Sequence, residues 1–153
     1  MTGCLKKGKL EKEGHPILLI DNFIGTGETA IETLKEIIAL KGYDNKTLFI
    51  ATLVCQKEGL KVINDYNVLF EVLRDKGISN KYFGEELIEN ESIMKSIEEI
   101  LSIDSKFEDK FRFGYKSSQA LVTMNRTPNN TFPMFWFQAK LGKGEKLNAP
   151  FPR

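Results

Sequence analysis

The sequence is poor in the side chains that build metal centres and disulfide frameworks. Its 153 residues include one histidine and two cysteines, Cys4 and Cys55. The two cysteines have neither the spacing of a zinc site nor the surroundings of a small disulfide-rich domain. We therefore expect reduced thiols in a cytoplasmic protein, and no metal site built by the protein alone.

Excess charge and long apolar runs are also lacking. The net charge is +1, from 22 basic and 21 acidic residues, which gives no electrostatic evidence for binding to nucleic acid. No apolar run is long enough to cross a membrane, and the polar, lysine-rich start lacks the apolar core of a secretory signal. The composition is that of a globular chain long enough to bury one core.

Strand-like and helix-like patterns alternate along the chain. Residues 17–20 form an apolar run typical of a strand covered on both faces, and apolar positions in residues 28–40 recur at helical spacing. Further strands are predicted at residues 46–54, 67–72 and 120–124, and further helices at residues 56–63 and 83–101. A strand, a helix and a second strand imply a right-handed crossover. The predicted fold is α/β, with a parallel, Rossmann-like sheet of about four strands and flanking helices.

The predicted folded unit covers residues 16–139. Residues 1–15 are predicted to be a flexible lead-in, because they are polar and rich in lysine. Residues 140–153 are predicted to be an irregular tail, because they are rich in glycine, lysine and proline.

The segment that joins the first strand to the first helix carries the most chemistry. It reads Asp-Asn-Phe-Ile-Gly-Thr-Gly-Glu-Thr over residues 21–29. Asp21 and Asn22 follow the apolar run, at the carboxyl end of a parallel strand, where ligands of open α/β sheets bind. Their carboxylate and amide groups can hydrogen-bond a vicinal diol.

Residues 25–29 have the composition of a phosphate-binding turn. Gly25 relaxes the turn, and Gly27 allows the backbone to approach a ligand. Thr26 and Thr29 add hydroxyl donors, while free N–H groups at the helix start favour a phosphate. Glu28 is favourable to the helix dipole but brings a negative charge close to that phosphate.

This segment resembles the signature of phosphoribosyltransferases that use 5-phosphoribosyl-1-pyrophosphate. The resemblance implies that Asp21 and Asn22 contact the ribose hydroxyls and that residues 25–29 hold the 5′-phosphate. It also implies Mg²⁺ as a cofactor that arrives with the pyrophosphate ligand. Asn22 stands where the family usually has a second acid, and Gly25 stands where several members have an aspartate. No catalytic residue is therefore assigned.

Other interpretations of the loop fit less well. A dinucleotide fingerprint is disfavoured because residues 21–24 intervene before the first glycine and no acidic residue ends a second strand. A Walker loop is excluded, because the glycine-lysine pair is missing. The remaining alternative is an ordinary tight turn that binds no ligand.

A second landmark lies in residues 113–136, where two prolines bracket an Asn-Asn-Thr loop. Taken alone, its amides would only cap a turn and its aromatic residues would only pack in the core. Together with the first loop it is similar to the phosphoribosyltransferase-like proteins predicted as effectors in bacterial conflict systems, a resemblance over residues 16–137. Its further candidates for ligand binding are Tyr115, Ser118, Gln119, Asn129, Asn130, Thr131 and Trp136.

The resemblance also implies a missing portion. A full phosphoribosyltransferase core has a longer N-terminal part, which grips the pyrophosphate, before the phosphate loop. We therefore expect a C-terminal portion with an exposed sheet edge and exposed apolar surface, completed by a partner chain or by homo-oligomerisation. The expected ligand is a small sugar phosphate. The alternatives are a non-catalytic sensor of nucleotides or sugar phosphates, and an assembly module whose loop binds nothing.

Overall fold

A computed structural model describes residues 15–40, 43–79, 84–104, 106–141 and 144–153. The predicted flexible lead-in therefore lies, apart from His15, outside the described residues. The strands are β1 (Ile17–Ile24), β2 (Leu48–Gln56), β3 (Asn67–Arg74), β4 (Ala139–Lys140) and β5 (Lys146–Leu147). The α-helices are α1 (Glu28–Ile38), α2 (Lys57–Ile63) and α3 (Glu86–Leu101). No helix among the described residues is long and apolar enough to cross a membrane.

The main sheet has three parallel strands in the order β1-β2-β3. This sheet and its flanking helices confirm the predicted α/β class. The predicted fourth strand at residues 120–124 is wrong, because only Ala120 forms a bridge there, with Thr131. Ala120 and Val122 are buried against Phe23 instead, so their apolar character reflects packing onto the sheet rather than pairing within it.

The tail is more ordered than its composition predicts. Strands β4 and β5 pair as a short antiparallel hairpin, and the Leu141 N–H donates to the Glu145 carbonyl. The Phe151 N–H donates to the Phe135 carbonyl at 2.8 Å, and Ala149 is buried. The last residues are therefore fixed against the folded unit.

The main core lies between the sheet and the helices α1 and α2. It includes Leu34 and Ile37 of α1, Ile63 of α2, and Leu48 and Ile50 of β2. Burying such side chains stabilises each by about 1.5–3 kcal/mol relative to exposure. The core therefore fixes α1 against the sheet, and with it the loop that precedes α1.

The opposite face of the sheet is largely open. Leu18, Ile20 and Leu69 are 53%, 79% and 62% exposed. Ile20, Ala51 and Leu69 occupy one row across the three strands, so they share this face. Parallel sheets are normally covered on both faces. The exposed apolar surface expected from the sequence is therefore present.

The pairing of the three main strands is interrupted at one position along the sheet. The regular register omits Asn22, Leu53 and Glu71. In β1 the Asn22 N–H donates to the carboxylate of its neighbour Asp21 at 2.7 Å. Beyond this point Phe23 packs with Ala120 and Val122, while Ile24 packs in the main core. The irregularity thus turns the end of β1 towards the C-terminal segment.

Candidate functional site

The predicted phosphate turn is a tight connection between β1 and α1. Gly27 precedes the first residue of α1 and has a φ of 80°, in the left-handed region that favours glycine. No side chain caps this helix start, and the Ile31 N–H makes the first turn's bond to the Gly27 carbonyl at 2.9 Å. An uncapped start leaves N–H groups available to an anion.

This turn lines a cavity of about 300 Å³, which is large enough for a small ligand. Residues 21–30 form one side of the cavity, and residues 126–130 with Arg153 form the other. The two segments that the sequence singled out therefore meet at one site.

Asp21 and Asn22 lie on the rim of this cavity, but not where the strand leaves the sheet. Strand β1 continues to Ile24, and Asp21 pairs in register with Thr52. Both side chains are exposed. The Asp21 Oδ1 atom also accepts a hydrogen bond from the Phe23 N–H at 3.5 Å. The Asp21 carboxylate is thereby held at the irregular step of the strand, and within the described residues only its Oδ1 atom accepts a hydrogen bond.

Neighbouring parts of the protein lie close to both glycines of the turn. A Cβ atom on Gly25 would lie 2.5 Å from the Asn130 Nδ2 atom, so the absence of a side chain here lets the Asn130 amide approach the loop. A Cβ atom on Gly27 would lie 2.9 Å from the Gly59 carbonyl oxygen of α2. The close approach at Gly27 is therefore made by the protein itself.

Asn129 and Asn130 are held against the turn by their backbone. The Asn129 carbonyl accepts the Tyr115 N–H at 2.8 Å. The Asn130 carbonyl accepts the Ala120 N–H at 3.0 Å and the Ser118 hydroxyl at 2.7 Å. Both asparagines line the cavity.

Four of the other candidate residues are buried next to the site and hold its loops in place. The Gln119 Oε1 atom accepts the N–H groups of Ile78 and Ser79, at 3.1 and 2.7 Å. The Trp136 indole N–H donates to the Thr131 carbonyl at 2.7 Å. Ser118, Gln119, Thr131 and Trp136 are all buried, and none lines the cavity.

An ion pair ties the second segment to the start of α1. The Lys116 ammonium contacts the Glu28 carboxylate, and this hydrogen bond raises the pKa of Lys116. Lys116 has a φ of 53°, and Phe113, Ser117 and Gln119 are also left-handed non-glycine residues. Such backbone is uncommon and marks a conformation imposed by its surroundings. The pair also offsets the Glu28 charge beside the phosphate turn.

The comparison with known protein families agrees with this geometry. The PRTase-CE family model matches residues 3–153, nearly the whole sequence. The chain belongs to the PRTase-CE family. This confirms the resemblance to the phosphoribosyltransferase-like superfamily. A search of the curated proteins found no match.

Buried polar side chains hold the left-handed segment of this PRTase-CE chain in place. The Glu98 Oε1 atom accepts the Phe113 N–H at 2.7 Å, and the Gln56 amide donates to the Ser118 carbonyl at 2.8 Å. Glu98 is fully buried, and its burial raises the pKa of the carboxyl, while the Phe113 N–H and the Arg112 charge oppose that shift. Helix α3 and strand β2 thus both position residues 113–119.

Two arginines of this cavity were missed by sequence reasoning. Arg126 and Arg153 line the cavity, and the Arg153 guanidinium lies 5.8 Å from the centre of the Trp136 ring. The Thr127 hydroxyl donates to the Phe151 carbonyl at 3.0 Å, which ties the tail to the loop. Arg126 directly precedes the Thr-Pro-Asn-Asn motif, which could have suggested it. Nothing local in the sequence indicates that Arg153 lies here.

The cavity residues fit Mg²⁺ only if a phosphate ligand brings the ion with it. The described part of the chain contains no group of three or more histidine, cysteine, aspartate or glutamate side chains that could hold a metal ion. Mg²⁺ commonly binds through one or two carboxylates together with substrate phosphates. Asp21 is the cavity carboxylate that could contribute to such a site, because Glu28 is paired with Lys116. The residues therefore fit an ion carried by the ligand.

Proposed function

We propose that this PRTase-CE chain binds the ribose 5-phosphate portion of phosphoribosyl pyrophosphate, or of a related nucleotide, in the cavity beside α1. The observation that carries this proposal is the meeting of complementary groups in one cavity. An uncapped helix start, two arginines and a carboxylate–amide pair all line it. Backbone N–H groups and guanidinium groups suit a phosphate, and carboxylate and amide oxygens suit a diol.

Each group has a distinct role in this proposal. The N–H groups at the start of α1, with Thr26 and Thr29, hold the 5′-phosphate. Arg126 and Arg153 add positive charge, which strengthens hydrogen bonds to phosphate oxygens. Asp21 and Asn22 orient the ribose through its hydroxyl groups. The Lys116–Glu28 pair keeps the Glu28 carboxylate from acting as a free charge beside the phosphate.

In a complete site the reaction would be phosphoribosyl transfer. The bond between the anomeric carbon and pyrophosphate would break through an oxocarbenium-like state, and an acceptor atom would form a bond to the same carbon. A rigidly held ribose phosphate would favour that geometry. Mg²⁺, when bound with the ligand, supplies charge neutralisation for the leaving group. We further propose that additional polypeptide, from a partner chain or a second copy, covers the open face of the sheet and completes the pyrophosphate side.

A non-catalytic sensing role is the second candidate. It is favoured by the amide at Asn22, in place of an acid, and by the absence of an ionisable side chain at Gly25. A sensor would use the same cavity without breaking the glycosidic carbon–oxygen bond. Cytoplasmic localisation and a role in bacterial conflict stay predictions from the sequence.

Calorimetric titration with phosphoribosyl pyrophosphate, with and without Mg²⁺, tests the proposed binding. We expect binding that weakens by roughly 10- to 100-fold in Thr26→Ala and in Asp21→Ala, because each loses hydrogen bonds to a charged ligand or a diol. Thr123→Ala and Asp65→Ala are matched controls, since both residues are exposed and outside the cavity. If neither the chain nor a form reconstituted with its completing partner binds millimolar ligand, the proposal is rejected.

Pyrophosphate release separates the two candidates. Transferase activity predicts release of pyrophosphate by the completed assembly when an acceptor is supplied. A sensor predicts thermal stabilisation by ribose 5-phosphate or nucleoside monophosphates without any release. If the loop is only a structural turn, Thr26→Ala and Asp21→Ala will leave function unchanged.

A further inference from the structure

A second cavity adjoins the first across the start of α1. We propose that it holds an aromatic nucleoside joined through the bound phosphate, so that the preferred ligand is a dinucleotide linked 5′ to 5′. This inference rests on the proposed function, because it places the phosphate between the two cavities. It identifies the class of ligand, which the phosphate turn alone does not.

The two cavities share a wall. The second also has a volume of about 300 Å³. Thr26, Glu28 and Thr29 of the phosphate turn line both cavities, and so do Asn129 and Asn130. We place the phosphate against these shared residues, where the two cavities meet. A group attached to its far oxygen would therefore enter the second cavity.

The remaining walls of the two cavities differ in chemistry. Asp21, Asn22 and the two arginines line only the first cavity, which suits the sugar phosphate. Phe111 and Tyr115 line only the second, with ring centres 6.2 Å apart and an angle of 48° between the rings. Aromatic side chains stack on nucleobases of any sequence. Ribose 5-phosphate has no group that would reach these rings.

The aromatic wall is rigid and has polar neighbours. Phe111 packs edge-on against the buried Trp136, with ring centres 5.4 Å apart. Glu28 and Glu32 lie one helical turn apart on α1, and both line the cavity. Their carboxylates can accept hydrogen bonds from amino groups of a base or from ribose hydroxyls. A flat base with a ribose matches these walls better than a purely apolar group does.

Calorimetry with diadenosine 5′,5′-diphosphate and ADP tests this inference. Both probes carry one adenosine and a diphosphate, and only the first carries a second nucleoside. We expect the dinucleotide to bind at least about 5-fold more tightly than ADP, since stacking on one aromatic residue changes affinity by roughly 5- to 150-fold. Tyr115→Ala should abolish that preference, so that the two probes bind with similar affinity. Tyr115→Phe keeps the ring and should retain the preference.

The outcomes separate this inference from the proposed function. If ADP and ribose 5-phosphate fail to bind, the proposed function falls and this inference falls with it. If ADP binds and the dinucleotide binds no more tightly, only this inference is overturned. It is also overturned if folded Tyr115→Ala weakens both probes equally, or if a 5′-phosphorylated oligonucleotide binds more tightly than the dinucleotide.

Discussion

At the scale of single residues, Gly25 and Asn130 show how distant segments build one site. The space above Gly25 is filled by the side chain of Asn130, which is more than a hundred residues away in the sequence. The glycine motif could be predicted from the sequence, because a tight turn imposes a local pattern. The contact with Asn130 could not be predicted, because it depends on how residues 113–131 return to the sheet.

We predict different effects for alanine at the two turn glycines. In Gly25→Ala the new Cβ meets the end of a side chain, so Asn130 is displaced and binding of ribose 5-phosphate weakens. The unfolding free energy should fall by less than about 3 kcal/mol, as is usual for overpacking. In Gly27→Ala the new Cβ meets the backbone of Gly59 and the left-handed φ is also penalised. Denaturant unfolding should therefore show the greater loss in Gly27→Ala. A greater loss in Gly25→Ala would contradict the assigned roles.

The sequence identified Trp136 as a candidate residue, but it did not show what this residue does. Its indole N–H donates a hydrogen bond to the Thr131 carbonyl, and the residue is only 8% exposed. The sequence offered a choice between a pocket wall and a core residue, and only the packing distinguishes them. The structure places Trp136 under the Asn129–Asn130 loop as a support.

We predict that Trp136→Phe lowers the free energy of unfolding and has only a small effect on the affinity for the ligand. Losing the indole N–H leaves the buried Thr131 carbonyl without this bond, which costs about 1–3 kcal/mol of unfolding free energy. Affinity for ribose 5-phosphate should fall less than in Thr26→Ala, because Trp136 does not line the cavity. A variant with wild-type stability and no ligand binding would show that Trp136 contacts the ligand.

At the scale of elements, helix α3 fixes the left-handed segment through Glu98. The hydrogen bond from Phe113 holds one carboxylate oxygen, and the Oε2 atom has no hydrogen-bond partner among the described residues. Sequence periodicity predicted this helix, and most of its acidic residues are exposed or half-buried. Glu98 is the exception, since it lies at the end that contacts residues 113–119. Periodicity cannot identify which glutamate a distant loop will cover.

The raised pKa of Glu98 predicts a definite pH dependence. A folded carboxyl with a raised pKa binds its proton more tightly than the unfolded chain does. Its contribution to stability is therefore fully present below its ordinary pKa of about 4.5 and is lost as the pH rises through the folded value. In Glu98→Gln this loss should vanish. Urea denaturation at pH values from about 4 to 8 should show the variant gaining stability relative to wild type as the pH rises. Parallel pH profiles would contradict the assignment.

The apolar segment at residues 120–124 is a second feature that the sequence pattern predicted incorrectly. A short apolar run predicts burial, but it does not distinguish a paired strand from a segment that packs across a sheet. Each of the three paired strands adjoins a helical pattern in the sequence. Residues 120–124 lack that context, and Ala120 and Val122 instead pack against Phe23.

At the scale of the whole molecule, the open face of the sheet is the dominant feature. Three paired parallel strands are covered by α1 and α2 on one side, while Leu18, Ile20 and Leu69 are exposed on the other. The apolar runs of the strands were consistent with burial on both faces. An exposed surface of this kind favours association.

We predict that the isolated chain self-associates through this face. Sedimentation should show an average mass that rises with concentration, whereas a variant with Ile20→Lys and Leu69→Lys should stay monomeric. Ile88→Lys on α3 is a matched control, because Ile88 and Ile20 are both 79% exposed. Equal effects of the control and the double variant would show that the sheet face has no special role.

The proposed function requires a sugar phosphate to bind between the start of α1 and the Asn129–Asn130 loop. Titration of the ¹⁵N-labelled chain with ribose 5-phosphate, followed by amide NMR shifts, tests it most directly. We expect the largest changes at the amides of residues 25–30 and of Arg126, Thr127, Asn129 and Asn130, with saturation, and we expect these changes to be lost in Thr26→Ala. Saturable changes confined to other parts of the chain, or no change at millimolar ligand, would contradict it.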